Sequence, residues 1–141
     1  MAKMSEELIE LLNSLPTCYL ATASAEGIPN VDPVNSAIAI APDTIAIAAT
    51  PLKKTLKNIR ENARAALVFH ATPPARSEAS LENLAQIAGG QVKGRTTVMS
   101  SGEVHDRIKE TVMETLGAEV AEKMLTIILK IEQIHSITPK P

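Results

Sequence analysis

The sequence predicts an α+β fold that is mainly β, a small antiparallel barrel with about three to four helices at its periphery. Three observations carry this prediction. The 141 residues suit one domain of ordinary size, spanning 1–141. Alternation at period two recurs in short segments, most clearly over residues 36–40 and again over 45–48 after the Pro42-Asp43 turn. Helical periodicity is confined to a few separate stretches, so strands and helices do not alternate as they do in a doubly wound parallel sheet. A strand-rich chain of this size hides its edges best by curling into a barrel.

Along the chain, Ser5 is the expected N-cap of a first helix, with Glu6 and Glu7 in its positive first turn. Leu8, Ile9, Leu11, Leu12 and Leu15 form its apolar stripe, and Pro16 ends it. Residues 17–23 read as a strand, Gly27 marks a hairpin turn, and residues 28–41 are extended. Pro33 cannot donate to a central ladder, so it belongs at a bulge, a strand start or an edge. Thr50-Pro51 is the expected start of a second helix, with Leu52, Leu56 and Ile59 on one face and Asn62 as its stop. A strand over residues 65–69 leads into an irregular insertion at about 71–88, which holds a short helix near 78–86.

Gly89-Gly90 introduces another strand, residues 91–99. Ser100 and Glu103 have capping-box spacing for a late helix, where Val104, Ile108, Val112 and Leu116 recur every four residues before Gly117. A helical turn over 118–123 and a last strand over 125–137 complete the order. In that strand Ile127, Leu129 and Ile131 hold one phase and Ile134 and Ile137 another, which predicts a bulge between them.

Composition narrows the function. With one Tyr, one Phe, no Trp, a net charge of −2 and a pI near 5.9, the chain lacks the ring platforms and basic groove of single-strand nucleic-acid binders. No apolar run approaches a membrane span, and the N-terminus lacks a signal-peptide pattern, so a cytoplasmic protein without nucleic-acid or membrane partners is expected. The single Cys18 lies in an apolar segment and reads as a buried, inert thiol, with a nucleophilic role well behind. His70, His105 and His135 are widely spaced and read as strand-end or surface residues, and no metal site is expected. Glu103, Asp106, Glu110 and Glu114 read as a solvated helix face.

One segment is electrostatically out of place. Lys53 and Lys54 fall in the first turn of the second helix, where the dipole disfavours cations, beside the hydroxyls of Thr50 and Thr55. A bound phosphate would offset them. A solvated face of Lys53, Lys54, Lys57 and Arg60 accounts for the same residues equally well.

From residues 5 to 138 the chain resembles the FMN-binding split β-barrel family related to pyridoxamine 5′-phosphate oxidase. The resemblance is carried by Cys18-Tyr19-Leu20-Ala21-Thr22-Ala23 with Gly27-Ile28-Pro29-Asn30-Val31, by Asp43-Thr44-Ile45 entering Lys53-Lys54-Thr55-Leu56-Lys57-Asn58-Ile59, and by Asn62-Ala63-Arg64-Ala65-Ala66-Leu67. Gln91-Val92-Lys93-Gly94-Arg95 and the closing stretch from Ile131 to Pro139 extend it. The resemblance implies a homodimer with FMN between subunits and a flavin-dependent oxidoreductase of the flavin-reductase or electron-transfer kind, acting on an unidentified small molecule or electron donor. It would place the phosphate at Lys53, Lys54 and Thr55 with Ala49 and Thr50 at the end of the preceding strand, the ring along Asn35, Ser36 and Ala37, and Gln91 approaching from a later strand. The flavin carries its own redox chemistry, so no side chain need be catalytic.

The family's pyridoxamine phosphate oxidases carry an Arg-rich flavin strand and a C-terminal Arg and His pair. Residues 35–40 here hold no basic residue and the C-terminus offers only His135 and Lys140, which argues against that activity. Relatives of this barrel also bind deazaflavin or haem, and a cofactor-free dimeric binding or regulatory module is a third reading.

Overall fold

The computed structural model describes residues 2–50, 52–71 and 88–137. The insertion expected at 71–88 and its short helix lie almost wholly outside the described residues. Among these residues seven strands form one sheet: β1 (Cys18–Ala23), β2 (Pro29–Val34), β3 (Ile38–Ala41), β4 (Thr44–Ala49), β5 (Arg64–Ala71), β6 (Ala88–Met99) and β7 (Leu125–Ser136). Their order is β2-β1-β5-β6-β7-β4-β3, and every neighbouring pair is antiparallel. The sheet curls until β2 touches β4, yet among the described residues β2 and β3 remain unpaired edges, so the barrel is split rather than closed. Among the described residues four helices flank it: α1 (Glu6–Ser14), α2 (Lys53–Glu61), α3 (Glu103–Leu116) and α4 (Ala118–Lys123). None is long and apolar enough to cross a membrane.

The bulky-small alternation of β4 has a direct cause. All six of its residues are buried, because the strand is covered on both faces. Ile45 and Ile47 point into the main core with Leu20, Leu67, Phe69 and Ile127, while Ala48 joins Val112, Ala121 and Met124 in a second cluster beneath α3 and α4. A residue larger than Ala on that second face would push the helices off the sheet. Pro29 and Pro33 both lie in β2, whose outer side needs no ladder donors, so the edge reading of Pro33 holds.

The bulge predicted in the last strand is present. Lys93 pairs with Gln133 but Gly94 pairs with Ile131, which leaves Glu132 as the extra residue of β7. The backbones approach so closely there that a Cβ on Gly94 would stand 1.8 Å from the Lys130 carbonyl oxygen. The extra residue is turned to use: the Glu132 carboxylate receives Arg64 at 2.9 Å and lies 3.5 Å from Arg95.

Several local expectations are corrected. The second helix does not begin at Thr50-Pro51; its N-cap is Leu52, and no side chain caps it. β4 runs to Ala49, so the chain spends the next residues leaving the sheet. The capping box of Ser100 and Glu103 does not form, because Glu103 is already the first helical residue of α3 and Gly102 takes the N-cap at φ 110, a conformation that favours glycine. Leu116 is 59% exposed instead of continuing the apolar face. A repeat every four residues drifts by roughly 40° each time on a helix of 3.6 residues per turn, and three repeats carry it off the face. His105 is not a surface residue: it is buried, and its Nδ1 lies 2.9 Å from Thr126 Oγ1. His70 and His135 are exposed on β5 and β7.

Candidate functional site

The end of β4 organises the residues singled out by the sequence. Between β2 and β3 the chain passes through Asn35, Ser36 and Ala37, and Ser36 fastens this passage to β4: its hydroxyl accepts from the Ala48 N–H at 3.0 Å and reaches the Ala48 carbonyl at 3.4 Å. Thr17 donates to Asn35 Oδ1 at 3.0 Å, which ties the same passage to the residue just before β1. Ala37 packs partly buried against the main core. Ala49 is buried at the tip of β4, Thr50 is half-buried, and the chain then enters α2.

Among the described residues, no side chain caps the start of α2. Leu52 offers no side-chain cap, the first turn holds no acidic residue, and the first backbone hydrogen bond runs from Leu56 N–H to the Leu52 carbonyl at 2.9 Å. The N–H groups of Lys53, Lys54 and Thr55 therefore lie ahead of the helical ladder, where the partial positive charge of the dipole is concentrated. Lys53 and Lys54 are exposed beside them.

Thr55 differs from its neighbours. Its side chain is fully buried and its hydroxyl donates to Asp32 Oδ2 at 2.5 Å, where Asn30 also donates at 3.1 Å. One turn on, the buried Asn58 donates to Thr22 Oγ1 at 3.1 Å. These bonds fix the inner flank of α2 to β1 and β2. The Thr55 hydroxyl proton is consequently committed, and what Thr55 has to offer an anion is its main-chain N–H.

A groove of about 390 Å³ opens against the Asn35 to Ala37 passage. Asn13 and Leu15 of the α1 end form one wall, Ile38 and Ile40 continue the floor, and Val104, Arg107, Ile108 and Thr111 of α3 form the far wall. The sequence alone did not reveal this wall, because membership depends on where α3 crosses the sheet and not on any local motif. Gln91 is elsewhere in the same chain. It pairs with His135, whereas Ala49 pairs with Leu125 at the other end of β7, so the two are roughly 30 Å apart along the strand at about 3.3 Å per residue. Cys18 is also set aside: burial pushes its thiol up to about 11, which keeps it protonated near neutral pH.

The family model for pyridoxamine 5′-phosphate oxidase matches residues 4–138, nearly the whole chain. The chain belongs to that family. A relative, an uncharacterized protein of Methanocaldococcus jannaschii, is 28% identical over 141 residues, covering 99% of this chain and 84% of its own. Among solved structures, an FMN-binding protein from Syntrophomonas wolfei superposes with a TM-score of 0.77 at 22% identity, covering 96% of this chain and 87% of the other. HutZ, the haem storage protein of Vibrio cholerae, superposes with a TM-score of 0.67 at 14% identity over 94% of each chain. Both likenesses show the pyridoxamine 5′-phosphate oxidase fold, and their names show that this fold serves more than one cofactor.

Proposed function

We propose that the chain binds FMN and works as a flavin-dependent oxidoreductase or electron carrier, as a homodimer. The observation that carries this reading is the start of α2. An uncapped, acid-free helix start with two lysines follows closely on the end of β4, the strand to which Ser36 of the groove is hydrogen-bonded, which supplies one element suited to a phosphate and another suited to a ring. Lys53, Lys54 and the N–H groups of Lys53 to Thr55 would hold the phosphate, with Ala49 and Thr50 at the end of the preceding strand. The flavin supplies hydride or electron acceptance at its own ring. The chain's part is to orient that ring on backbone and aliphatic groups and to keep water from it.

Gln91 reaches the ring only from a second copy, since in its own chain it lies on β6 opposite the far end of β7. The sheet face that bears Gln91 suits such a partner. In one row across five strands, Pro33, Tyr19 and Val68 stand beside Gln91 and His135, and Tyr19 is 42% exposed. Val31, 62% exposed, and Ala21 and Ala66 lie in the next row.

Titration of FMN into the purified chain, followed by flavin fluorescence and by native mass spectrometry, tests the reading. Quenching at one FMN per chain in a dimer is expected. Unquenched flavin with no retained mass would end it.

A further inference from the structure

We propose that the groove between the Asn35 passage and α3 takes a small organic anion with an apolar body, and that Arg107 binds its acidic group. The inference rests on what the groove leaves unused. Asn13 Oδ1 already accepts from the Ala39 N–H at 2.9 Å, and Asn35 Oδ1 from Thr17 at 3.0 Å. The Ser36 hydroxyl is engaged by Ala48 on both its donor and acceptor sides, and that of Thr111 reaches the Arg107 carbonyl at 3.4 Å. What remains for a ligand is donors: the amide N–H groups of Asn13 and Asn35 and the guanidinium of Arg107.

No carboxylate lines the groove, and Arg107 is its one cationic side chain among the described residues. Glu103 and Glu110 stand at helical spacings from Arg107 that permit ion pairs, yet no ion pair to Arg107 forms among the described residues. An unpaired guanidinium facing a carboxylate-free groove recognises a carboxylate, sulfonate or phosphate, and its planar fork favours bidentate contact. The rest of the wall is aliphatic, from Leu15, Ile38, Ile40, Val104 and Ile108, so the body of the ligand is apolar. The anion is placed against the α3 wall, across the groove from the Asn35 to Ala37 passage that the proposed function gives to the flavin ring; binding there stands without the flavin, and only a role for the anion as substrate rests on the flavin reading.

The test uses two fluorescent probes that share their rings, 8-anilinonaphthalene-1-sulfonate and the uncharged N-phenyl-1-naphthylamine, on the flavin-free chain. The sulfonate probe is expected to bind and to lose at least about tenfold in affinity in Arg107→Gln, while the uncharged probe binds both proteins alike. Lys57→Gln removes one charge from the exposed side of α2, outside the groove, and is expected to leave both probes unchanged. An undiminished sulfonate affinity in Arg107→Gln, equal losses for both probes, an equal loss in Lys57→Gln, or no sulfonate binding at all would each overturn the proposal. Because no flavin is present, these outcomes are independent of the FMN titration.

Discussion

The helices α1 and α2 have nine residues each and are secured in opposite ways. α1 is held at its end: Ser5 accepts from the Leu8 N–H at 3.1 Å, and Glu6 and Glu7 sit in the positive first turn. α2 is held by its flank, through Thr55 to Asp32 and Asn58 to Thr22, while its end carries neither cap nor acid and presents Lys53 and Lys54. The same chain thus caps a helix in the ordinary manner where stability alone is at stake. At α2 it forgoes that gain, and the donors left open are those that the proposed phosphate site would use.

The contrast can be broken at its strongest point first. Thr55→Val keeps the shape of the side chain but deprives the Asp32 carboxylate of a buried donor. A loss of about 1.5–3 kcal/mol is expected in urea unfolding, the usual range for a hydrogen bond to a charged group. If α2 were held by its end as α1 is, the loss would be negligible. Ser5→Ala should cost about 1 kcal/mol, the normal value of a lost cap. The smallest effect has the most telling sign: Lys54→Glu should stabilise the flavin-free chain by about 0.3–1 kcal/mol at low ionic strength and weaken FMN binding, whereas Glu7→Lys should destabilise α1 by a similar amount. A destabilised Lys54→Glu chain would mean that Lys54 serves the fold.

How far the sequence shows these features depends on how local their causes are. The cap of α1, the stop of α2 at Asn62 and the bulge at Glu132 are written in short patterns, a serine before two acids, an asparagine after an apolar face, and a phase slip between Ile131 and Ile134. The start of α3 is less legible, since Ser100 and Gly102 compete for the cap and the backbone that the turn requires decides for glycine. His105 is hidden from sequence reasoning because its partner Thr126 lies on another element. For the same reason the lysines of α2 are visible as an anomaly, but the commitment of the Thr55 hydroxyl to Asp32 is not. Arg107 stands on a helix face that reads as solvated, and only the crossing of α3 over the Asn35 passage turns it toward a groove.

Comparison of FMN with riboflavin, which lacks the phosphate, most directly tests whether the open start of α2 is a phosphate site. In Lys53→Ala/Lys54→Ala the affinity for FMN should fall by at least about tenfold while that for riboflavin stays within about twofold of the unsubstituted chain. Equal losses for the two ligands, or an unchanged affinity for FMN, would contradict it.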